Sequence, residues 1–345
     1  MKVEAAKSIA QKWVEEEVGG ESWFRGAFFS GSVMDLEAEE ELPADSDLDI
    51  MVVTSFADPP LKPGKFVYEG VLLEVSYLAA SQFRTTEEVL NNYHLANSLR
   101  VNNIITDPQG KLRPLQKEVE QKFYTISSVR QRCEIVKERI ELGLRSNNLS
   151  KPFHEQVTGW LFPTGITTHL LLVAALRNPT VRLRYLKVQE VLQDYNQLDL
   201  YPELLSLLGC VDFTREQVEY HLGELARTYD TAAELSETPF FFSSDISVQS
   251  RPIAIDGSRK LIEAGFHREA IFWMVATFAR CHMILAADAT EEQQQQHLPA
   301  FKAIVSDLGI HTSEDMKARS YKMVDFLPRL WKSAEKIMKE NSRIM

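Results

Sequence analysis

The sequence predicts an α+β protein in which a mixed β-sheet flanked by helices is followed by an all-α helical-bundle domain. Short apolar runs typical of strands occur only before about residue 110. From about residue 125 onward, apolar residues recur at helical spacing instead. The chain has 345 residues, which exceeds the usual size of one domain. We therefore expect two domains, residues 1–125 and 126–345.

The first domain is expected to begin with a helix over residues 3–18, which ends at Gly19-Gly20. Acidic residues and turn formers between Met34 and Ser46 predict a loop with one helical turn. The remaining elements predicted for this domain are strands at 25–30, 48–54, 65–78 and 103–106 and a helix at 86–99.

The second domain is predicted to contain helices at about 127–147, 153–177, 181–195, 214–235, 258–286, 290–307 and 313–340. Four aromatic residues at helical spacing are expected in its core: Trp160, Phe162, Trp273 and Phe278. The segment from Pro239 to Asp245 interrupts the helical pattern. We expect an ordered loop whose phenylalanines fill the helical domain.

Composition narrows the range of functions. Forty-nine acids against 38 lysines and arginines give a formal net charge of −11, which disfavours a long nucleic acid as partner. We find no run of eighteen apolar residues, so we expect no membrane span. The three cysteines are far apart and include no CxxC pair, which favours buried thiols in the cytoplasm. Eight histidines without metal-ligand spacing argue against a zinc site.

A group of three acids is the main chemical signal. Asp47 and Asp49 lie two residues apart at the start of a predicted strand, so both should project from the same face. Glu74 lies within the next strand, between the apolar residues Leu73 and Val75. If the two strands are neighbours, the three carboxylates converge. Such crowding is unfavourable unless cations neutralise it, and one or two Mg²⁺ ions would do so.

Gly31-Ser32 follows the first predicted strand and could bind phosphate. Glycine lets the backbone approach a phosphate closely, while the serine hydroxyl and following amides can donate hydrogen bonds to it. A second copy, Gly257-Ser258, is not followed by an Asp-x-Asp strand, so we discount it. The sequence contains no GxxxxGK[ST] and no GxGxxG after a strand, which excludes a P-loop and leaves a Rossmann site unsupported.

These residues resemble the nucleotidyltransferase superfamily typified by DNA polymerase β and the antibiotic nucleotidyltransferases. Three segments carry the resemblance: Phe29–Ser32, Ser46–Met51 and Leu73–Val75. The gap between Ser32 and Asp47 is longer than is usual in that superfamily. The resemblance implies a nucleotidyltransferase-type sheet in which Asp47, Asp49 and Glu74 hold metal.

The nearest resemblance within this superfamily is to the kanamycin (aminoglycoside) nucleotidyltransferases, over roughly residues 20–195. Glu141 to Arg145 looks like the helix that bears that family's catalytic base and, four residues on, a phosphate-binding cation. Glu141 is thus implied as general base, with Glu138 and Glu134 as alternatives on the same helix. Arg145 is implied as a phosphate contact.

The implied activity is Mg²⁺-dependent transfer of a nucleoside monophosphate, AMP from ATP, to a hydroxyl of a small acceptor, with release of pyrophosphate. Two Mg²⁺ ions and a homodimer are further implications of the resemblance. An aminoglycoside-like cation would suit the negative charge of the chain. Two alternatives remain open: a regulatory module of the toxin–antitoxin type with the same fold, and a nucleotidyltransferase that modifies proteins.

Overall fold

The structure is a computed structural model that describes residues 1–43 and 45–345. It is 63% helical and, over those residues, has one five-stranded mixed sheet and thirteen α-helices, which confirms the α+β class. The chain forms two compact units. The first comprises Met1–Arg132, Phe240–Asp245 and Met345, and the second comprises Cys133–Pro239 and Ile246–Ile344.

The sheet belongs to the first unit. Its strands are β1 Phe24–Ser30, β2 Leu48–Thr54, β3 Gly64–Tyr68, β4 Val71–Ala79 and β5 Ile104–Thr106, in the order β3-β4-β2-β1-β5. β2 is antiparallel to β1 and parallel to β4, while β3 is antiparallel to β4 and β5 to β1. β2 is therefore the central strand, and its pairing with β4 is parallel.

The predicted single strand over residues 65–78 is wrong, because the structure forms a hairpin there. β3 and β4 are joined by Glu69 and Gly70, which have φ angles of 46° and 82°. Two consecutive residues with positive φ make the tight turn whose twist suits a two-residue hairpin. The turn places Lys65 directly opposite Glu74.

The first helix, α1 Val3–Trp13, covers one face of the sheet. Side chains of α1 form one apolar cluster with the inward-facing residues of β2 and β4, including Leu48, Ile50, Leu73 and Val75, none of which is exposed. Since side chains alternate along a strand, the residues between them project from the opposite face. That alternation directs the acids away from the apolar cluster, as the sequence predicts.

Several predicted helices have different limits. The helix predicted at 86–99 divides at Asn92, whose side chain accepts hydrogen bonds from the amides of the following helix. The helix predicted at 258–286 divides at Gly265, which has a φ of 88°. The α-helices are α1 Val3–Trp13, α2 Thr86–Asn91, α3 Tyr93–Ser98, α4 Leu112–Phe123, α5 Ile126–Arg145, α6 Phe153–Ala174, α7 Arg184–Asp194, α8 Tyr201–Leu208, α9 Arg215–Leu235, α10 Gly257–Glu263, α11 His267–Asp288, α12 Glu291–Asp307 and α13 Ser313–Glu340.

The second unit is built around α6 and α11, which pack against each other. Trp160 and Phe278 are completely buried, and Phe162 and Trp273 are partly buried. By length and composition α6 and α11 could each cross a membrane, contrary to our sequence reading, but 78% of each apolar window is buried inside the protein. Core helices of water-soluble proteins have the same properties, so these two helices are weak evidence for a membrane.

The segment Phe240–Asp245 differs from its prediction. It belongs to the first unit, although the chain on both sides of it belongs to the second. Phe241 is 64% exposed, so the expectation that these phenylalanines all fill the helical domain is wrong. The segment packs against β3 and ends in a short 3₁₀-helix, Ser243–Asp245.

Candidate metal and phosphate site

The three acids converge at the start of β2. Asp49 and Glu74 are direct partners in the parallel pairing of β2 with β4. One carboxylate oxygen from each of Asp47, Asp49 and Glu74 lies within 4.8 Å of the other two. All three residues are partly buried. The register of the sheet thus produces the convergence that the sequence predicts.

Gly31 allows the turn after β1 to lie against Asp49. Its φ of 70° is in the left-handed region, and a Cβ atom at this position would be 1.8 Å from Asp49 Oδ2. The 3₁₀-helix Gly31–Asp35 starts here, earlier than the helical turn predicted between Met34 and Ser46. Ser32 is exposed, and its Oγ lies 3.4 Å from Ser46 Oγ. A backbone turn with an exposed hydroxyl therefore borders the acids.

Two lysines neutralise part of the acidic group. Lys65 Nζ is 2.6 Å from Glu74 Oε2 and 3.2 Å from Asp47 Oδ2, and it also forms an ion pair with Asp245. Lys62 forms an ion pair with Glu74 Oε1. The Lys65 side chain is only 8% exposed, so these are not solvent-screened surface pairs.

The acids respond differently to this environment. Burial, and then the neighbouring charges Asp47 and Glu74, raise the pKa of Asp49 well above its ordinary value. Burial likewise raises the pKa of Asp47, although Lys65 opposes the shift. For Glu74, burial acts in the same direction but is outweighed by Lys65 and Lys62, which lower its pKa to about 2.

The charges of this cluster do not balance. Asp47, Asp49, Glu74 and Asp245 contribute four carboxylates, and the two lysines contribute two ammonium groups. When all four carboxylates are ionised, two negative charges are left, which is the charge that one divalent cation neutralises. Among the described residues, the side chain of Asp49 forms neither a hydrogen bond nor an ion pair. An all-carboxylate oxygen donor set with one member unpaired fits Mg²⁺ or Mn²⁺.

Sequence reasoning missed Lys62, Lys65 and Asp245. A signal for Lys65 existed: once Glu69-Gly70 is read as a hairpin turn, counting outward pairs Lys65 with Glu74. Lys62 lies in the Pro- and Gly-bearing linker before that hairpin, where no periodicity applies. Asp245 is 180 residues from Lys65 in sequence, and no local pattern connects the two.

The residues predicted on α5 lie in the second unit. Glu141 faces Lys137 at 3.8 Å, and each side chain is 39% exposed. Its alternatives Glu134 and Glu138 are more exposed. Arg145 is exposed and borders a groove of about 630 Å³ together with Lys317, Tyr321 and Asp325. The structure thus brings together Gly31, Ser32, Asp47, Asp49 and Glu74, while Glu141 and Arg145 belong to the other unit.

Gly257-Ser258, the second Gly-Ser copy, has no site character. It begins α10, and the Ser258 hydroxyl, which is 1% exposed, donates a hydrogen bond to the carbonyl of Ala254. A helical serine bonded to the preceding turn is a packing feature. Discounting this copy agrees with its structure.

Comparison with protein-family models gives no match, and comparisons with curated proteins and with solved structures find no similar protein. The resemblance to nucleotidyltransferases therefore stays a prediction from the residues. It depends on the three motif segments of the sequence.

Proposed function

We propose that the chain is a Mg²⁺-dependent nucleotidyltransferase that transfers AMP from ATP to a hydroxyl group of a small acceptor. The observation that carries this proposal is the convergence of Asp47, Asp49 and Glu74 beside the turn at Gly31-Ser32, with two negative charges left unbalanced. A divalent cation at such a site neutralises the carboxylates and stabilises negative charge on the leaving pyrophosphate.

The chain's own residues have distinct tasks in this proposal. Asp47, Asp49 and Glu74 would hold the metal, and the family resemblance implies two Mg²⁺ ions. Ser32 donates a hydrogen bond to the triphosphate. In the reaction, the acceptor oxygen forms a bond to the α-phosphorus while the bond from that phosphorus to pyrophosphate breaks.

The acceptor proton passes to a general base, for which we propose Glu141, with Glu138 and Glu134 as the alternatives. Glu141 is the least exposed of the three, which favours it over the others. Arg145 is proposed as a cation for the phosphates. A cationic acceptor such as an aminoglycoside would be attracted by the negative charge of the chain. Action in the cytoplasm as a homodimer completes the proposal.

The test supplies purified protein with ATP labelled at the α-phosphate, Mg²⁺ and a panel of aminoglycosides and lincosamides. Transfer of label and release of pyrophosphate are expected, and Asp49→Asn should reduce both by at least about a hundredfold because it removes a charged ligand. Asp58→Asn is the matched control, since Asp58 is an exposed acid in the same unit. Turnover that survives Asp49→Asn would refute the assignment.

The lysines support a second candidate, a regulatory or protein-modifying module. Lys62 and Lys65 already neutralise part of the acidic group without any ligand. A stoichiometric protein partner, recovered by affinity capture from cells and bound equally by wild type and Asp49→Asn, would favour a regulatory module. AMP attached to that partner, detected by mass spectrometry, would favour protein modification.

A further inference from the structure

Lys65 occupies two of the three carboxylates that would hold a metal. Its Nζ contacts Glu74 at 2.6 Å and Asp47 at 3.2 Å, and these two residues are also candidate metal ligands. A cation bound by the same carboxylates would repel the ammonium group at close range in a partly buried site. Binding of a metal to the acids and pairing of Lys65 with them therefore oppose each other.

Asp245 offers Lys65 an alternative partner. It forms an ion pair with Lys65 from outside the group of three acids, and its side chain is 12% exposed. Among the described residues that could hold a metal, only Asp47, Asp49 and Glu74 form a cluster, so Asp245 is not a candidate ligand itself. An ammonium group displaced from Glu74 and Asp47 can thus keep one carboxylate partner.

The segment that carries Asp245 is held firmly against β3. Gly64 has a φ of 74°, and a Cβ atom there would lie 2.1 Å from Ser244 Oγ, so glycine is needed for this approach. Within the segment, the amide of Asp245 donates to the carbonyl of Phe242, and Phe242 is 2% exposed. Asp245 is therefore placed beside Lys65 by packing.

We propose that Lys65 is an internal competitor for the metal and that Asp245 is the positioning residue that accepts Lys65 when metal binds. This inference rests on the proposed metal site at Asp47, Asp49 and Glu74. It gives the segment 240–245 a role in setting how tightly the protein binds a divalent cation.

The test is a titration with Mn²⁺ in the absence of nucleotide. The electron paramagnetic resonance signal of the free ion measures how much Mn²⁺ is bound. Lys65→Met should tighten Mn²⁺ binding about fivefold or more, because the competing charge is gone. Asp245→Asn should weaken binding by a similar factor, because displaced Lys65 loses its partner. In the double variant Lys65→Met/Asp245→Asn, the effect of Asp245→Asn should fall to less than half, since Asp245 acts through Lys65.

Lys12→Met is the control, since Lys12 pairs with Glu69 at an exposed position of the same unit; it should leave Mn²⁺ affinity unchanged. Lys65→Gln replaces Lys65→Met if the latter does not fold. If wild type binds Mn²⁺ and loss of Lys65 leaves affinity unchanged or weaker, the competition is refuted while the proposed metal site stands. If no variant binds Mn²⁺, both proposals fail. Equal effects of Asp245→Asn with and without Lys65 would refute the positioning role.

Discussion

The acids on the two sides of the candidate site differ in their ion pairs and in the direction of their pKa shifts. On the β2 side, the carboxylate of Asp49 forms no ion pair or hydrogen bond among the described residues, and its pKa is raised by burial and by neighbouring acids. On the hairpin side, Glu74 pairs with Lys62 and Lys65, and its pKa is lowered to about 2. Yet Asp49 and Glu74 are direct neighbours across one strand pair.

The difference between Glu74 and Asp49 has opposite consequences for the stability of the folded protein. A buried carboxylate with two ammonium partners stabilises the fold, whereas one without a partner makes the folded protein less stable at neutral pH. Proteins keep such unfavourable groups where a ligand compensates them. We infer that Glu74 contributes to both stability and binding, and that Asp49 is retained for binding alone.

The largest effect on stability is expected for Glu74→Gln. The substitution leaves two partly buried ammonium groups without their shared carboxylate, and breaking a buried ion pair typically costs about 3 kcal/mol or more. The free energy of unfolding, measured in urea without metal, should fall by about that amount. The interactions that lower the pKa of Glu74 to about 2 stabilise the fold only while its carboxylate is ionised. The difference in free energy of unfolding between wild type and Glu74→Gln should therefore shrink as the pH falls through about 4 toward about 2.

Gly31→Ala should destabilise the protein by about 2 kcal/mol, because alanine adds strain at a positive φ and its Cβ overlaps Asp49 Oδ2. Gly70→Ala is the matched control: Gly70 also has a positive φ, but nothing lies within 4 Å of its Cβ position. Chemical unfolding should show a smaller loss for Gly70→Ala. Equal losses for the two variants would mean that Asp49 does not lie against the turn.

Asp49→Asn should change the free energy of unfolding in the opposite direction to Glu74→Gln. It should stabilise the metal-free protein by about 1 kcal/mol at neutral pH. The reason is removal of a charge whose ionisation the folded state disfavours, because burial and the neighbouring acids outweigh Lys65 and Lys62. As the pH falls, Asp49 of the wild type takes up a proton in the folded state and the gain should diminish. Unfolding curves over a pH series measure this, and a loss of stability at neutral pH would contradict it.

The smallest effect on stability is expected for Glu141→Gln. Its pair with Lys137 is 3.8 Å long and exposed, and such helix pairs contribute about 0.5 kcal/mol or less. If Glu141 is the general base, kcat of the transferase should nevertheless fall about a hundredfold. Glu138→Gln is the matched control, and a loss of kcat in that variant alone would move the base to Glu138.

The sequence predicts the β2 side of the site better than the hairpin side. Asp47 and Asp49 alternate with the buried residues Leu48 and Ile50, so the period of a single strand determines their direction. The bounds of β2, Leu48–Thr54, agree with the predicted 48–54. Local periodicity is therefore sufficient to predict β2 and the direction of its two acids.

The hairpin side depends on pairings that periodicity does not encode. Residues 65–78 look like one strand because both arms are apolar, and the turn between them is signalled in the sequence by Glu69-Gly70 alone, two residues that have positive φ angles in the structure. Without the turn, the pairing of Lys65 with Glu74 cannot be anticipated.

Sequence reasoning also misses the helix Leu112–Phe123. Its residues Leu112, Leu115 and Val119 are buried at helical spacing, but Pro114 and the preceding turn obscure its start. Contacts over long sequence separations, such as Lys65 with Asp245, have no local signal.

The most direct test of the account is the effect of Mg²⁺ on thermal unfolding of wild type and Asp49→Asn, compared without nucleotide. A ligand that binds only the folded state raises Tm with its concentration. We predict that Mg²⁺ raises the Tm of the wild type in a saturable manner and leaves Asp49→Asn unchanged. No increase for the wild type, or the same increase for both proteins, would contradict a metal site at Asp47, Asp49 and Glu74.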